Sequence, residues 1–232
     1  MKVTYVEHSS FLVEMKRHYL LFDYFQGEIP KMDPKKELLV FASHRHGDHF
    51  SPVIFELAKE YPRIHYVISD DIWENRVPME LHGKVTFMGA EEEETIGDVE
   101  VKTYRSTDEG VAFLLSIEGK TIYHAGDLNH WNWMNESEEW NQQMGARYHK
   151  ELDKMAGEKI HLAFLPMDSR LNENFYLGVD DFMKRVGAEV VFPMHFWEDY
   201  SVGRRLKELP CSLEYRDRIR EIHGKGETFF VE

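Results

Sequence analysis

Cysteine is almost absent from the sequence: Cys211 is the only one among 232 residues. A single cysteine excludes an intrachain disulfide, and low cysteine usage is typical of proteins from reducing compartments. The sequence also lacks long apolar runs. Neither the run that marks a signal peptide nor the run that a membrane-spanning helix needs is present. These absences predict a cytoplasmic protein that does not cross a membrane.

Positive charge is also scarce, because 28 lysines and arginines face 42 aspartates and glutamates and leave a net charge of −14 at pH 7. A strongly negative protein repels the phosphates of nucleic acids and anionic membranes, although a locally positive pocket can still bind a small anion. No glycine-rich phosphate loop of the GxxxxGK[ST] kind occurs. We expect a small-molecule substrate and neither nucleic acid nor membrane as a partner; the oligomeric state is left open.

Hydrophobic residues make up 42% of the chain and aromatic residues 13%, enough for a substantial core. Short segments rich in β-branched and aromatic residues predict strands at 2–6, 10–15, 19–23, 38–42, 64–68, 84–88, 99–104, 111–117, 121–124, 160–165, 188–192 and 228–231. Helical spacing predicts helices at 137–156 and 180–186, and another that starts at Ser51 and Pro52. Strands are followed by helices twice, without a linker, which predicts one domain spanning residues 1–232.

The segment SHRHGDHF, residues 43–50, places three histidines and an aspartate on a loop between a predicted strand and a predicted helix. His44 and His46 alternate, so in an extended chain both imidazoles face one side and can bind one ion at about 2.0–2.1 Å. Asp48 and His49 are adjacent and can converge on a second ion where the chain turns into the helix. The pattern predicts two metal ions about 3.5–4 Å apart.

The segment 43–50 resembles the HxHxDH signature of the metallo-β-lactamase superfamily. Asp23 resembles the early aspartate that follows a hairpin in this family, Asp127 the aspartate that bridges two metals, and His195 the late histidine after a strand. Residues 8–13, HSSFLV, are similar to the metal-dependent hydrolase branch that includes ascorbate-6-phosphate lactonase-like proteins. The resemblance implies an α+β fold, a four-layer αββα sandwich with the metals at one edge.

The resemblance implies one or two zinc ions, with manganese or iron as alternatives, and a set of six ligands. These are His44, His46, Asp48, His49, Asp127 and His195. One departure concerns the first site, because the family normally supplies a further histidine between Asp48 and Asp127. The loop 104–111 contains none, and its nearest candidates are Thr107 and Asp108. The first site either keeps His44 and His46 alone or recruits Asp108, so we expect two unequal sites.

The expected activity is hydrolysis of a lactone, ester, amide or phosphodiester by water that the metals ionise. Asp127 would bridge the ions, Asp48 would orient the nucleophile, and His130 is a candidate proton shuttle. An iron-dependent redox enzyme is an alternative, although diiron members usually carry an acidic residue where His46 stands. A non-catalytic metal-binding descendant is a third possibility, supported by the missing histidine.

Several other side chains have a structural and a functional interpretation. Asp23 is expected to orient a ligand histidine, and His124 to pack in the core. His8 is left between the pocket mouth and a strand cap, and Trp131 and Trp133 between the pocket wall and the core. Three more sets complete the predictions: a packing stripe at Trp140, Met144, Tyr148 and Leu152, a solvated acidic run at Glu91–Glu94, and three cations that could neutralise an anionic substrate, Arg105, Arg170 and Lys184.

Overall fold

The computed structural model describes all 232 residues, and its strands form two mixed sheets. The first sheet has the order β13-β1-β2-β3-β4-β5-β6. Its strands are β1 Lys2–Glu7, β2 Ser10–Glu14, β3 His18–Phe22, β4 Glu37–Ala42, β5 Ile64–Ser69, β6 Val85–Met88 and β13 Thr228–Phe230. Strands β3 to β6 run parallel to one another.

The second sheet has the order β12-β11-β10-β9-β8-β7, and β10, β11 and β12 are parallel. Its strands are β7 Glu93–Ile96, β8 Val99–Arg105, β9 Val111–Ile117, β10 Lys120–His124, β11 Ile160–Pro166 and β12 Ala188–Met194. The α-helices are α1 Glu138–Lys154, α2 Leu177–Arg185 and α3 Val202–Glu208. The 3₁₀ helices are Pro52–Lys59, Glu74–Arg76, Met79–Lys84, Ser169–Asn174, Pro210–Ser212 and Arg216–Arg218.

Alternating side chains in the first sheet divide the core into two hydrophobic clusters. In β3, Leu20 and Phe22 join the larger cluster of 51 buried residues between the sheets, whereas Leu21 joins a cluster of 19 on the outer face. Phe41 packs against Phe113 of the second sheet at 5.3 Å between ring centroids. Because side chains alternate across a strand, each apolar run of the first sheet is buried on both faces.

Helices cover the outer face of each sheet and complete the four layers. Tyr123 of β10 stacks on Phe182 of α2 at 5.2 Å between centroids, and Phe55 of the 3₁₀ helix Pro52–Lys59 packs on Tyr66 of β5 at 5.2 Å. The predicted αββα sandwich is therefore confirmed, with 3₁₀ helices forming much of one outer layer. No helix has the length and apolar character needed to cross a membrane.

Three local predictions need correction. The helix that begins at Pro52 is a 3₁₀ helix, although Ser51 does cap it by accepting the Val53 N–H. Helix α2 starts at Leu177, three residues before the predicted start. The acidic run Glu91–Glu94 is exposed as predicted, but Glu93 and Glu94 belong to β7, a strand that was not predicted and that pairs with β8 at the edge of the second sheet. Exposed charges are compatible with an edge strand because one of its sides faces water.

Candidate metal centre

The predicted site residues lie together at one edge of the two sheets, on the turns that follow the strands. Asp23 follows β3, the segment 43–50 follows β4, Asp127 lies just after β10, and His195 follows β12 directly. The carboxyl ends of parallel strands meet at the same edge of a sheet. The loop 106–110 between the antiparallel strands β8 and β9 opens at this edge too.

A first group of ligand-type atoms consists of His44, His46, Asp108 and Asp127, whose donor atoms all lie within 4.8 Å of one another. His44 Nε2 is 3.0 Å from His46 Nδ1 and 3.5 Å from Asp127 Oδ2. His46 Nδ1 is 3.8 Å from Asp108 Oδ2. The structure thus brings Asp108 to the place where the sequence lacks a histidine.

A second group consists of His8, Asp48, His49 and His195, again with donor atoms within 4.8 Å of one another. His8 Nε2 is 3.5 Å from Asp48 Oδ2, and its ring centroid is 4.2 Å from that of His195. The sequence alone is compatible with His8 at the pocket mouth and with His8 as a strand cap. The signal that could have identified it is its position directly after β1, at the same sheet edge as His195.

Asp127 lies between the two groups and presents one carboxylate oxygen to each. Its Oδ2 faces His44, while Oδ1 is 3.3 Å from His49 Nε2 and 3.5 Å from His195 Nε2. The preceding Gly126 has φ +52°, and a Cβ there would lie 2.7 Å from the Ser43 side chain. Only glycine tolerates both the conformation and this close approach, so Gly126 fixes Asp127 against the histidine loop.

Two buried carboxylates hold the histidines of the second group from behind. His49 Nδ1 lies 2.7 Å from Asp23 Oδ2, and Asp23 also accepts hydrogen bonds from the backbone N–H and the hydroxyl of Ser43. His195 Nδ1 lies 3.0 Å from Asp168 Oδ2. The sequence predicts such a contact for Asp23 but not for Asp168, although Asp168 follows β11 at the same edge.

The pKa values of two histidines of the metal-free protein are shifted in opposite directions. Burial alone would lower the pKa of His49, but Asp127 and Asp23 raise it to about 9. Burial and the neighbouring His49 lower the pKa of His44 to about 4. Burial would raise the pKa of Asp23, yet His124 and His49 lower it to about 2. His49 therefore holds a proton between two carboxylates near neutral pH, whereas His44 is neutral.

The donor atoms fit divalent metal ions. His8 Nε2, His49 Nε2 and Asp127 Oδ1 are buried and have no hydrogen-bond partner in the protein. Each such buried atom costs about 1–3 kcal/mol when nothing satisfies it. Imidazole nitrogens and carboxylate oxygens are ligands that zinc, manganese and iron accept. A cation between these atoms would satisfy all three. Neither an exposed loop nor a packed core would require such a set of unpaired ligand-type atoms.

His130 lies in a neighbouring cleft rather than in the cavity beside the two groups. Its Nδ1 is 2.8 Å from Asp181 Oδ2, which is also 2.8 Å from His149 Nε2. Its other ring edge packs on Gly145 of α1. The proton-shuttle role of His130 stays a prediction.

The other predicted residues fall into two sets. His124 is fully buried and bonds to the Ser9 carbonyl at 2.9 Å, as expected of a structural residue. Arg105 and Lys184 pair with carboxylates elsewhere. Tyr148 and Leu152 are buried in the core, as predicted for the packing stripe. The remaining residues line the cavity next to the two groups: Trp131, Trp133, Trp140, Met144 and Arg170.

The sheet arrangement and the shared carboxylate define the class of this chain. Residues 2–142 match the family described as the β-lactamase superfamily domain, and the chain belongs to that family. A UPF0173 metal-dependent hydrolase of Bacillus cereus is 32% identical over 219 residues, covering 84% of this chain and 86% of that protein. A UPF0173 metal-dependent hydrolase of Bacillus thuringiensis has the same identity and coverage.

Solved structures show the same fold at low sequence identity. Igni18, a metallo hydrolase from Ignicoccus hospitalis, has a TM-score of 0.65 and 19% identity, and the match covers 100% of this chain and 99% of that one. The metallo-β-lactamase fold protein YhfI from Bacillus subtilis has a TM-score of 0.65 and 14% identity, with 98% of each chain covered.

Proposed function

We propose that this protein is a metal-dependent hydrolase with two unequal metal sites. The observation that carries the proposal is Asp127, whose two oxygens face two separate groups of histidine and aspartate. His44, His46, Asp108 and Asp127 would hold one ion. His8, Asp48, His49 and His195, with Asp127 shared, would hold the other. Bound divalent ions make water available as a nucleophile near neutral pH and polarise the bond under attack.

The chain itself supplies positioning and charge. Asp48 is about one-third exposed and borders the cavity, so its free oxygen can accept a hydrogen bond from the attacking water. Asp23 and Asp168 fix the ring orientations of His49 and His195, which keeps their Nε2 atoms directed at the site. The proton-shuttle role of His130, which lies in the neighbouring cleft, remains part of this proposal.

Zinc is the metal we propose, because histidine predominates in the second group. The first group contains two histidines and two carboxylates, and manganese or iron becomes more competitive as oxygen ligands increase. We propose a lactone, ester, amide or phosphodiester as substrate. We also propose that residues 1–232 act as one domain, since Lys2 of β1 pairs with Phe230 of β13 across the full length of the chain.

Metal analysis combined with hydrolase assays tests this proposal. Purified wild-type protein, the His44→Ala/His49→Ala double variant and a His65→Ala control would be compared for bound metal, melting temperature and hydrolysis of 4-nitrophenyl acetate, a γ-lactone and bis(4-nitrophenyl) phosphate. His65 bonds to Thr86 and lies in no group of ligand-type side chains. We expect metal and turnover in the wild type and the control, and loss of both in the double variant. Equal metal content and equal stability in all three proteins would contradict the proposal.

A further inference from the structure

A cavity of about 540 Å³ opens beside the two metal-ligand groups, and its wall combines cations with tryptophans. It is large enough for a small organic molecule. Arg147 and Arg170 supply the positive charge, while four tryptophans supply flat apolar surface. None of these side chains belongs to the ligand groups. Arg147 donates only to Met144 Sδ, at 4.0 Å, and adds charge without a fixed position, whereas Arg170 is held by Asp168.

Arg170 is held in one orientation by contacts on several sides. Its Nε lies 2.9 Å from Asp168 Oδ1, and its Nη2 also donates to Asp168. Its guanidinium carbon is 4.6 Å from the centroid of the Trp197 ring and 5.5 Å from that of Trp133. Its Nη1 donates to no group of the protein. A fixed guanidinium with free N–H groups is suited to bind carboxylate or phosphate oxygens.

Asp168 connects this cation to the metal centre. The same buried carboxylate accepts hydrogen bonds from Arg170, from His195 Nδ1 at 3.0 Å and from Trp197 Nε1 at 3.3 Å. One side chain thereby sets the positions of a proposed metal ligand, a cation and an aromatic wall. An anion bound to Arg170 would have a defined position relative to the proposed metals.

The charge of the cavity changes sign when metals bind. Its lining has three carboxylates, Asp48, Asp108 and Asp127, and two guanidinium groups. Its formal charge is therefore −1 without metals and would be +3 with two divalent ions bound. Such a loaded cavity would attract small anions even though the whole chain is strongly negative.

Trp133 and Trp197 provide the apolar part of the recognition surface. Trp133 stacks parallel to the buried Trp131, with ring centroids 6.0 Å apart, and Trp197 is 46% exposed. Exposed tryptophan beside an ordered cation is a surface that a flat apolar group can cover.

We propose that the substrate of this site is a small organic anion, and that Arg170 binds its carboxylate or phosphate group while Trp133 and Trp197 contact a flat apolar portion. This assignment rests on the proposed hydrolase function and specifies its substrate class. Arg170 is a substrate-binding residue in this assignment.

Ligand titration of the zinc-loaded protein tests the assignment without relying on turnover. The probes are 2-naphthoate, its neutral analogue 2-naphthamide, and acetate, with tryptophan fluorescence or calorimetry as the readout. The variants are Arg170→Gln, Arg170→Lys and Trp133→Leu. Arg147→Gln is the matched control, because it removes the same charge from the same cavity without disturbing Asp168. Zinc content is measured for every variant.

We expect Arg170→Gln to weaken 2-naphthoate about 10- to 100-fold and to leave 2-naphthamide unchanged, since a charge-assisted hydrogen-bond pair is lost. Arg147→Gln should change either affinity by less than about threefold. Arg170→Lys keeps a partner for Asp168 and should still weaken 2-naphthoate, because an ammonium lacks the planar fork. Trp133→Leu should weaken 2-naphthoate and not acetate.

Equal losses of naphthoate affinity in Arg170→Gln and Arg147→Gln would overturn the assignment, because the anion would then respond only to net charge. Equal binding of 2-naphthoate and 2-naphthamide would overturn it as well. If Arg170→Gln fails to hold zinc, Arg170→Lys decides, and wild-type naphthoate affinity in that variant refutes the role of Arg170. The proposed hydrolase function is tested separately: it fails if the wild-type protein contains no zinc and shows no turnover.

Discussion

Replacing Asp23 by asparagine should change how zinc binding depends on pH. Asp23 is fully buried, lies 2.7 Å from His49 Nδ1 and accepts two hydrogen bonds from Ser43. Removing a carboxylate that orients a ligand histidine typically costs 10- to 100-fold in metal affinity. We therefore expect the affinity of the second site to fall by about that factor above pH 9, where protons no longer compete.

At lower pH, competition between protons and zinc for His49 sets the zinc affinity of the second site. Although burial lowers the pKa of His49, Asp127 and Asp23 raise it to about 9 in the metal-free protein. A metal must displace that proton, so wild-type affinity should rise about tenfold per pH unit between pH 7 and 9, about 100-fold in all. Without the Asp23 charge, the pKa of His49 moves towards its ordinary value, and this rise should become shallower.

Competition with a chelator of known affinity, repeated at half-unit intervals from pH 6.5 to 9.5, measures both effects. Asp180→Asn is the matched control, because Asp180 is another buried carboxylate, bonded to the Tyr215 hydroxyl at 2.7 Å and in no group of ligand-type side chains. The reasoning is refuted if Asp23→Asn binds zinc with the wild-type slope and affinity, or if the control shows the same change.

Three further predictions concern the metal centre. Asp108→Ala should weaken only one of two zinc-binding events, because Asp108 belongs to the first group alone. His8→Ala should weaken the other event and alter the visible spectrum of cobalt-substituted protein, since a ligand of the second group is lost. Metal-free protein should lose up to about 3 kcal/mol of stability between pH 6.5 and 9, because the raised pKa of His49 stabilises the fold only while the histidine is protonated.

Isothermal titration with zinc measures the first two predictions, with His65→Ala as a common control. An Asp108→Ala protein with two unchanged events would leave Asp108 as a loop residue. An unchanged cobalt spectrum in His8→Ala would place His8 outside the coordination sphere. Denaturant unfolding of chelator-treated protein reads the third, and stability that rises from pH 6.5 to 9 would contradict the sign assigned to His49.

The local pattern of the sequence was sufficient for every strand except β7, for α1 and for the histidine loop. Short alternating or continuous apolar runs are compatible with few structures other than buried strands. Ser137 caps α1, as its position in the sequence indicates. The order of HxHxDH, Asp127 and His195 along the chain predicted that these residues meet in one site. Each follows a strand, and these strand ends lie at the same edge of the sheets. The strand β7 was not predicted, because an edge strand that faces water needs no apolar pattern and its acidic residues resemble a loop.

Contacts between distant residues were decided only by the tertiary structure. His8 and His195 lie far apart in the sequence, yet the His195 backbone N–H donates to the His8 carbonyl at 3.3 Å. Asp168 gave no signal in sequence beyond its charge and its position after β11, because its partners His195 and Trp197 come from the turn after β12. Which of Arg105, Arg170 and Lys184 faces the cavity depends on how two sheets pack, and no local pattern encodes that packing. The sequence by itself determined which chemical groups are present and which strands carry them, whereas the stacking of the sheets determined which groups meet.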